Sequence, residues 1–557
     1  MADQQYAHLK TPLDNFYHWE KTQPDKIFLS QPINDQWINF TWKEFGQEVR
    51  KMASVIKAKD LPEGTNIALM SKNCAHWLMC DLAIMMSGHV SVPIYPNVSG
   101  DTVKYVLNHS QARLLFVGKL EIKDWEVMKT GIPENLECID FGIYGLPDSN
   151  YAKWNDVMSN YEPLNQNPVR DLDDIMTIIY TSGTTGVPKG VVQKFIGSSF
   201  AAEEFSKKFG LTTEDRFFSY LPLSHIAERL LTEVIALDCG GSVHYVQSLD
   251  TFKDNLAKCQ PTQFLAVPRI WTKFMMGVQA KFSPSKLNLL LTIPIVNNII
   301  RKKIKGALGL SHARSCFTGA APIAPSILEW FDKIGVTIYE IYGMTENNAY
   351  SHANLPKKRK IGTVGTSLEG VETKISEDGE ICIKSICNMV EYYKEPKKTA
   401  ECIKEGFLHT GDKGEIDANG FLKITGRVKD MFKTGKGKYV APNPIELRFA
   451  KNEHIEQICV VGPGMPQPMA LVELSESATK TDRSVVSQSL KDSLLAINPE
   501  LEHHEKLHKF VVVNDNWTPG NGLLTPTMKI KRDSIDEKYQ DKYDEWYEEK
   551  VEVCWEG

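Results

Sequence analysis

From Asn66 onward, apolar and polar positions repeat in one texture. The short apolar run NIALM gives way to a helical pattern lasting through Met86; VSVPIY follows, then a second helical stretch from Asp101 to Leu107, then RLLFVG. Apolar runs this short, separated by longer amphipathic segments, predict a parallel sheet built from crossover units. The pattern continues with a helix predicted over 198–208 and apolar runs at 264–267 and 336–339. After about residue 370 it changes to short strands and tight turns, as in EDGEICIK and DANGFLKI, where Asp378-Gly379 and Asn419-Gly420 are hairpin signals. From about 440 the texture is mixed, with strand candidates ICVVG and ALVEL and helical stretches around 480–495. At GRVKD, 426–430, the chain turns polar, basic and glycine-rich, which places a boundary there. The expected architecture is α/β: a large N-terminal domain over 1–427, of mixed and parallel sheets flanked by helices, and a small α+β domain over 428–557.

The longest apolar stretch, LNLLLTIPIVNNII from Leu287 to Ile300, is broken by Pro294 and falls short of the ~20 residues a spanning helix needs. The basic run RKKIK, Arg301 to Lys305, follows at once. An apolar run abutting a basic cluster reads as a membrane-surface contact near 287–305, or as a core helix with a solvated end.

Composition narrows the classes. At 557 residues the chain is too long for one hydrophobic core. Hydrophobic residues make up 42% and charged ones 24%, with a formal charge of −6, so nucleic acid is not an expected partner. MADQQYAHLK has neither a basic nor an apolar leader region, and the eleven cysteines include no CxxC pair. Reduced thiols and a cytoplasmic location are therefore expected, with peripheral contact at the cytoplasmic membrane face as an option. No cage of Cys or His for a metal is visible in the spacing.

The chemistry concentrates in TIIYTSGTTGVPKGVV, 177–192. Backbone N–H groups in a glycine-rich turn can converge on an anion, and the hydroxyls of Thr181, Ser182, Thr184 and Thr185 with the cation of Lys189 add donors around it. Phosphate is the natural guest. The G-x-x-x-x-G-K-[ST] spacing of P-loop hydrolases fails, because Pro188 stands five residues after Gly183 and Gly190 follows Lys189.

YTSGTTGVPKG resembles the signature of the adenylate-forming superfamily. TGAAP at 318–322, YGMTE at 342–346, TGD at 410–412, GRVKD at 426–430 and LTPTMKIKR at 524–532 follow in the family's order, so the likeness spans nearly the whole chain. LPLSHIAER at 221–229, VPRIW at 267–271 and the LTPTMKIKR ending look most like long-chain fatty acyl-CoA synthetases. The resemblance implies activation of a fatty acid with ATP and Mg²⁺ to acyl-AMP and pyrophosphate, then transfer to coenzyme A. A fatty acyl-AMP ligase serving a carrier protein, and a medium-chain or aryl acid CoA ligase, are the alternatives.

The same resemblance assigns roles. Thr181, Ser182, Gly183, Thr184, Thr185, Gly186 and Lys189 would hold the phosphates. Gly319, Ala320 and Ala321 would let the base and acyl group approach the backbone, and Tyr342 would pack on adenine. Thr345 would reach the α-phosphate, and Glu346 with Thr184 would hold Mg²⁺. Asp412, supported by Arg427, would accept the ribose hydroxyls. Lys529 would neutralise the repulsion between carboxylate and α-phosphate, and His225 would line the approach. Lys429 matches the hinge about which a mobile C-terminal domain rotates between half-reactions, while Lys433, Lys436 and Lys438 are candidates for coenzyme A or phosphate contact. Arg229 would line the same approach as His225 and stands where some bacterial relatives carry a tryptophan gate, so no gate is carried over, and Glu391 replaces a common glycine. A tail of ~14 methylenes would contribute on the order of 11 kcal/mol on burial, which demands a deep apolar tunnel; the helical region 275–310 is a candidate for its mouth. Oligomeric state is open, a homodimer among the options.

Overall fold

A computed structural model describes residues 4–147, 149–181 and 187–557. A seven-stranded sheet runs in the order Ala152–Lys153, Glu137–Asp140, Leu114–Val117, Asn66–Met70, Val90–Ile94, Ile175–Thr181, Lys189–Lys194. All of its neighbouring strands are parallel except the last pair, which is antiparallel. The crossovers are the helices Ala75–Met86 and Gly100–Ser110, as the apolar runs predict, and Ser99 caps the second by accepting from the Thr102 N–H. The first of these helices is buried on every side, His76 and Asp81 included, and shares one core with Phe28, Trp42, Phe195 and Leu237.

A nine-stranded sheet carries the second layer, in the order Thr366–Ser367, His352–Ala353, Ile338–Tyr342, Ser315–Thr318, Gln263–Leu265, Arg216–Ser219, Ser242–Tyr245, Ile27–Ile33, Gln36–Thr41. The apolar runs at 264–267 and 336–339 overlap two of these strands, but the strands stand at Gln263–Leu265 and Ile338–Tyr342. Val267 leads directly into the helix Pro268–Gln279, because proline at a first helical position is favoured. The predicted helix over 198–208 runs over Phe195–Phe209 and ends at Gly210 in the left-handed conformation.

Beyond residue 370 the expected hairpins form. Glu372–Ile375 pairs with Glu380–Lys384 around Asp378-Gly379, and Phe407–Ile416 pairs with Leu422–Arg427 around Asn419-Gly420, all in one five-stranded antiparallel sheet. The C-terminal part is a four-stranded sheet, Ile455–Val461, Met469–Leu474, Phe510–Val512 and Val553–Trp555, with its own core against Arg483–Ile497. It meets the rest of the molecule through an Arg269–Glu456 ion pair and through Asn97, whose Nδ2 donates to the Pro526 carbonyl at 3.1 Å.

The 275–310 region contains Pro284–Thr292 and Val296–Ala307. Leu287 and Ile304 are buried, whereas Leu289, Ile295 and Ile299 are 63%, 76% and 51% exposed. Among the described residues no helix is long and apolar enough to cross a membrane.

Candidate active site

The TGAAP and YGMTE segments begin at the carboxyl ends of two adjacent parallel strands, Ser315–Thr318 and Ile338–Tyr342, where open α/β sheets place ligands. Gly319 lies against Ile341: a Cβ there would stand 3.1 Å from the Ile341 carbonyl oxygen. Ala320 and Ala321 are exposed, and Ala320 holds φ +63°, a left-handed conformation that L residues adopt at a cost. Gly343 admits no side chain, because a Cβ would come within 2.3 Å of the Ala349 carbonyl carbon. That close approach folds Thr345–Asn347 into a short 3₁₀ turn in which Thr345 and Glu346 are buried.

The phosphate-loop segment is tied to this turn. Thr181 and Lys189 are opposite one another at the ends of paired antiparallel strands, so the glycine- and hydroxyl-rich segment connects a hairpin; Ser182, Gly183, Thr184, Thr185 and Gly186 themselves lie outside the described residues. The Gln193 amide donates to the Thr345 carbonyl at 2.6 Å, and the Met389 N–H donates to the Glu346 carbonyl at 2.7 Å. Lys189 places its Nζ 4.7 Å from the centre of the Tyr392 ring. The Tyr392 hydroxyl donates to Glu346 Oε1 at 2.8 Å, which fixes the carboxylate. Tyr392 was not singled out in the sequence. Its role depends on a pairing between Val191 and Tyr392 that local spacing does not reveal.

A second arm comes from the antiparallel sheet. Tyr342 donates its hydroxyl to Asp412 Oδ2 at 2.8 Å, and Arg427 Nε donates to Asp412 Oδ1 at 2.8 Å. Asp412 and Arg427 are cross-strand partners, which explains why residues 15 apart meet. A carboxylate has about four acceptor sites, so Asp412 retains capacity for two hydroxyls after these bonds. Burial, and then the adjacent Asp412 charge, hold the Tyr342 phenol well above its ordinary pKa, so it stays a donor.

Lys529 joins the two arms. It sits at the tip of a tight turn in which its N–H donates to Thr525 Oγ1 at 3.0 Å and the Thr525 N–H donates to its carbonyl at 2.7 Å. The cleft around it is open enough to leave the residue exposed, yet its walls desolvate the ammonium. Desolvation and then the Arg427 charge lower its pKa from the ordinary lysine value, against the opposing pull of Asp412 and Glu346. His225 belongs to the same cleft: burial, with a smaller contribution from Lys529, pushes its imidazole down to about 3, so it is neutral, and its Nδ1 accepts from the Ala227 N–H at 3.2 Å. Of the neighbouring cations, Arg532 is held within the C-terminal part by Glu446 at 2.5 Å and Asp430 at 3.3 Å, which separates it from Lys529 in role.

Lys429, Lys433, Lys436 and Lys438 are exposed, the last three on a hairpin of Phe432–Lys433 with Tyr439–Val440. Arg229 is buried, ion-paired to Asp81 at 2.5 Å and to Glu233 at 3.4 Å, which gives it a structural anchor inside the core. Glu391 is exposed, and its carbonyl accepts from the Val192 N–H at 3.0 Å.

Known proteins resemble this chain in sequence and in fold. A family profile described as AMP-binding enzyme matches residues 16–393, and its C-terminal domain counterpart matches 429–551. Among curated relatives, a peroxisomal long chain acyl-CoA synthetase of Arabidopsis thaliana is 30% identical over 96% of this chain and 86% of its own. Long-chain-fatty-acid–CoA ligases of Gallus gallus and Mycobacterium bovis are 28% and 27% identical, each over 94% of this chain and over 79% and 94% of their own. Among solved structures, the adenylation domain of a carboxylate reductase from Mycobacterium chelonae superposes with a TM-score of 0.81 at 21% identity, covering 97% of this chain and 91% of that one. An anthranilate CoA ligase in complex with anthranoyl-AMP shares the fold with a TM-score of 0.77 at 19% identity, over 95% and 97% of the two chains. With a family match over most of its length and the motifs converging on one cleft, this chain belongs to the AMP-binding, adenylate-forming enzymes.

Proposed function

We propose that the protein is a long-chain fatty acid–CoA ligase that forms acyl-AMP and then acyl-CoA. The reading is carried by one observation: Lys529 comes from the C-terminal part into the cleft that holds Asp412, Glu346 and His225. The long-chain class is supported by curated relatives of that name over nearly the full chain.

In the first half-reaction a carboxylate oxygen attacks the α-phosphorus of ATP, the bond to the β-phosphate oxygen breaks, and pyrophosphate leaves. Two anions must meet, and the Lys529 ammonium offsets their repulsion while Thr345 approaches the same phosphate. Asp412, pre-oriented by Tyr342 and Arg427, accepts the ribose hydroxyls, and Tyr342 offers its ring to the base. Lys189 and Thr181, at the base of the hairpin, hold the leaving phosphates together with Ser182 to Gly186. The Glu346 carboxylate, oriented by Tyr392, is a hard oxygen donor suited to Mg²⁺, with Thr184 as its expected companion; the ion supplies charge neutralisation to the triphosphate. In the second half-reaction the thiol sulfur of coenzyme A attacks the acyl carbon and AMP departs. Lys529 must withdraw to admit the thiol, with Lys429 as the hinge between a domain over 1–427 and one over 428–557, and with Lys433, Lys436 and Lys438 brought toward the phosphates of coenzyme A.

Acid-dependent pyrophosphate release, across chain lengths from acetate to oleate and with or without coenzyme A, tests the assignment. Turnover should rise with chain length and yield acyl-CoA; preference for acetate or benzoate, or release of acyl-AMP to a holo-carrier protein alone, would sink it.

We also propose that the 284–307 helices rest on a lipid surface, because Leu289, Ile295 and Ile299 are exposed beside Arg301–Lys305, an arrangement suited to anionic lipid. The chain should float with anionic vesicles and lose that association on Leu289→Asp with Ile295→Asp. Flotation unchanged in the double variant would contradict the contact.

A further inference from the structure

Outside the cleft, the strands Glu380–Lys384 and Phe407–Ile416 bring together three side chains of a different chemistry. Cys382 and His409 are direct cross-strand partners, and Glu380, two residues before Cys382, shares their face. Among the described residues, one ligand atom from each of Glu380, Cys382 and His409 lies within 4.8 Å of the other two. His409 Nδ1 is 2.7 Å from Glu380 Oε2 and 3.5 Å from Cys382 Sγ.

We propose that Glu380, Cys382 and His409 form a binding site for a divalent cation of the zinc class. Zinc bonds of about 2.3 Å to sulfur and about 2.1 Å to nitrogen and oxygen, at tetrahedral angles, set a sulfur–nitrogen distance of about 3.6 Å and a nitrogen–oxygen distance of about 3.4 Å. The thiol and imidazole already stand at the first spacing. The carboxylate oxygen stands about 0.7 Å inside the second spacing, the difference between about 3.4 Å and the observed 2.7 Å, so binding requires it to draw back by that amount.

The supporting shell is in place. Glu380 Oε1 accepts from the Gly411 N–H at 2.8 Å, which orients the carboxylate and leaves Oε2 facing His409. Cys382 is buried, whereas the His409 and Glu380 side chains are 20% and 19% exposed, so a cation enters from their side. Burial, then Glu380, raise the Cys382 thiol pKa, and Lys374 and Lys404 oppose them; an arriving dication would add to the lysines and favour the thiolate. A thiolate–imidazole–carboxylate set selects zinc or cobalt over magnesium, so this site and the proposed Glu346 site differ in the ions they take. The inference does not depend on the proposed reaction, although His409 lies three residues before Asp412 on the same strand and an ion there would tie both strands together.

The test is titration of the chelator-treated, nucleotide-free protein with Co²⁺, followed by displacement with Zn²⁺. Saturation at one ion per chain is expected, with a thiolate-to-cobalt charge-transfer band and the intense visible bands of tetrahedral cobalt. Cys382→Ser should abolish the charge-transfer band. His409→Gln and Glu380→Gln, on the accessible side, should each weaken binding at least about tenfold even if the buried Cys382→Ser variant fails to fold. Cys402→Ser should change neither the band nor the affinity. A folded wild-type chain that binds no cobalt, one that gives only weak octahedral bands, or full binding in His409→Gln would each overturn the site; the three groups would then be a hydrogen-bonded pair beside a buried thiol.

Discussion

Lys529 and Gly343 show how much single positions carry. Removing the Lys529 ammonium should slow acyl-AMP formation by roughly 10²- to 10³-fold, the scale of losing one preorganised electrostatic contact, while thioester formation from supplied acyl-AMP persists. Equal loss in both half-reactions would remove Lys529 from the first step. Because its pKa is lowered in the free enzyme, kcat/KM for adenylation should fall with rising pH at a lower pH than an ordinary lysine would give, and Lys529→Ala should remove that limb. Gly343→Ala drives a methyl group into the Ala349 backbone, which cannot yield as a side-chain end can. The expected loss is about 1–3 kcal/mol in denaturant unfolding, accompanied by weaker nucleotide binding.

Elements impose a different kind of constraint. The segment Ile226–Glu228 runs into the π-helical turn Arg229–Val234 inside the core, and it carries Glu228 with almost no exposure. Burial, only partly relieved by hydrogen bonds from Ser219 and the Tyr220 N–H, pushes the Glu228 carboxyl up to about 8. An unfolded glutamate ionises near 4.3, so between about pH 5 and pH 8 the unfolded chain has released a proton that the folded chain keeps. Stability should therefore fall with rising pH, by up to ~1.4 kcal/mol per unit from this group. Glu228→Gln should flatten that slope in unfolding measured across the same window; an unchanged slope would mean that the carboxyl is ionised in the fold.

At the scale of the whole molecule, the Arg269–Glu456 ion pair and the Asn97–Pro526 hydrogen bond hold the C-terminal part against the sheets. The ion pair is about one-third exposed on both sides, so its contribution is that of a solvent-screened pair. Arg269→Ala and Glu456→Ala should each lower the acyl-AMP half-reaction by roughly 1.5- to 5-fold, and the double variant by little more than either single one. Strict additivity in that cycle would show that the pair does not help to seat Lys529.

The order of chemical motifs, the crossover units between Asn66 and Val117, and the two Gly-bearing hairpins were legible in the chain, because each rests on residues close together in sequence: apolar periodicity, glycine where φ is positive, and hydroxyls clustered on one loop. Tertiary structure alone decided which of those motifs share a cleft. Asp412 meets Tyr342 across 70 residues, Tyr392 orients Glu346 across 46, and Arg229 turns out to be a core ion-pair partner instead of a lining residue. Cys382 and His409 likewise meet only because two strands pair in one register, 27 residues apart. Short-range preferences depend on a residue and its near neighbours, whereas distances between remote side chains depend on sheet order and burial, which no local window contains.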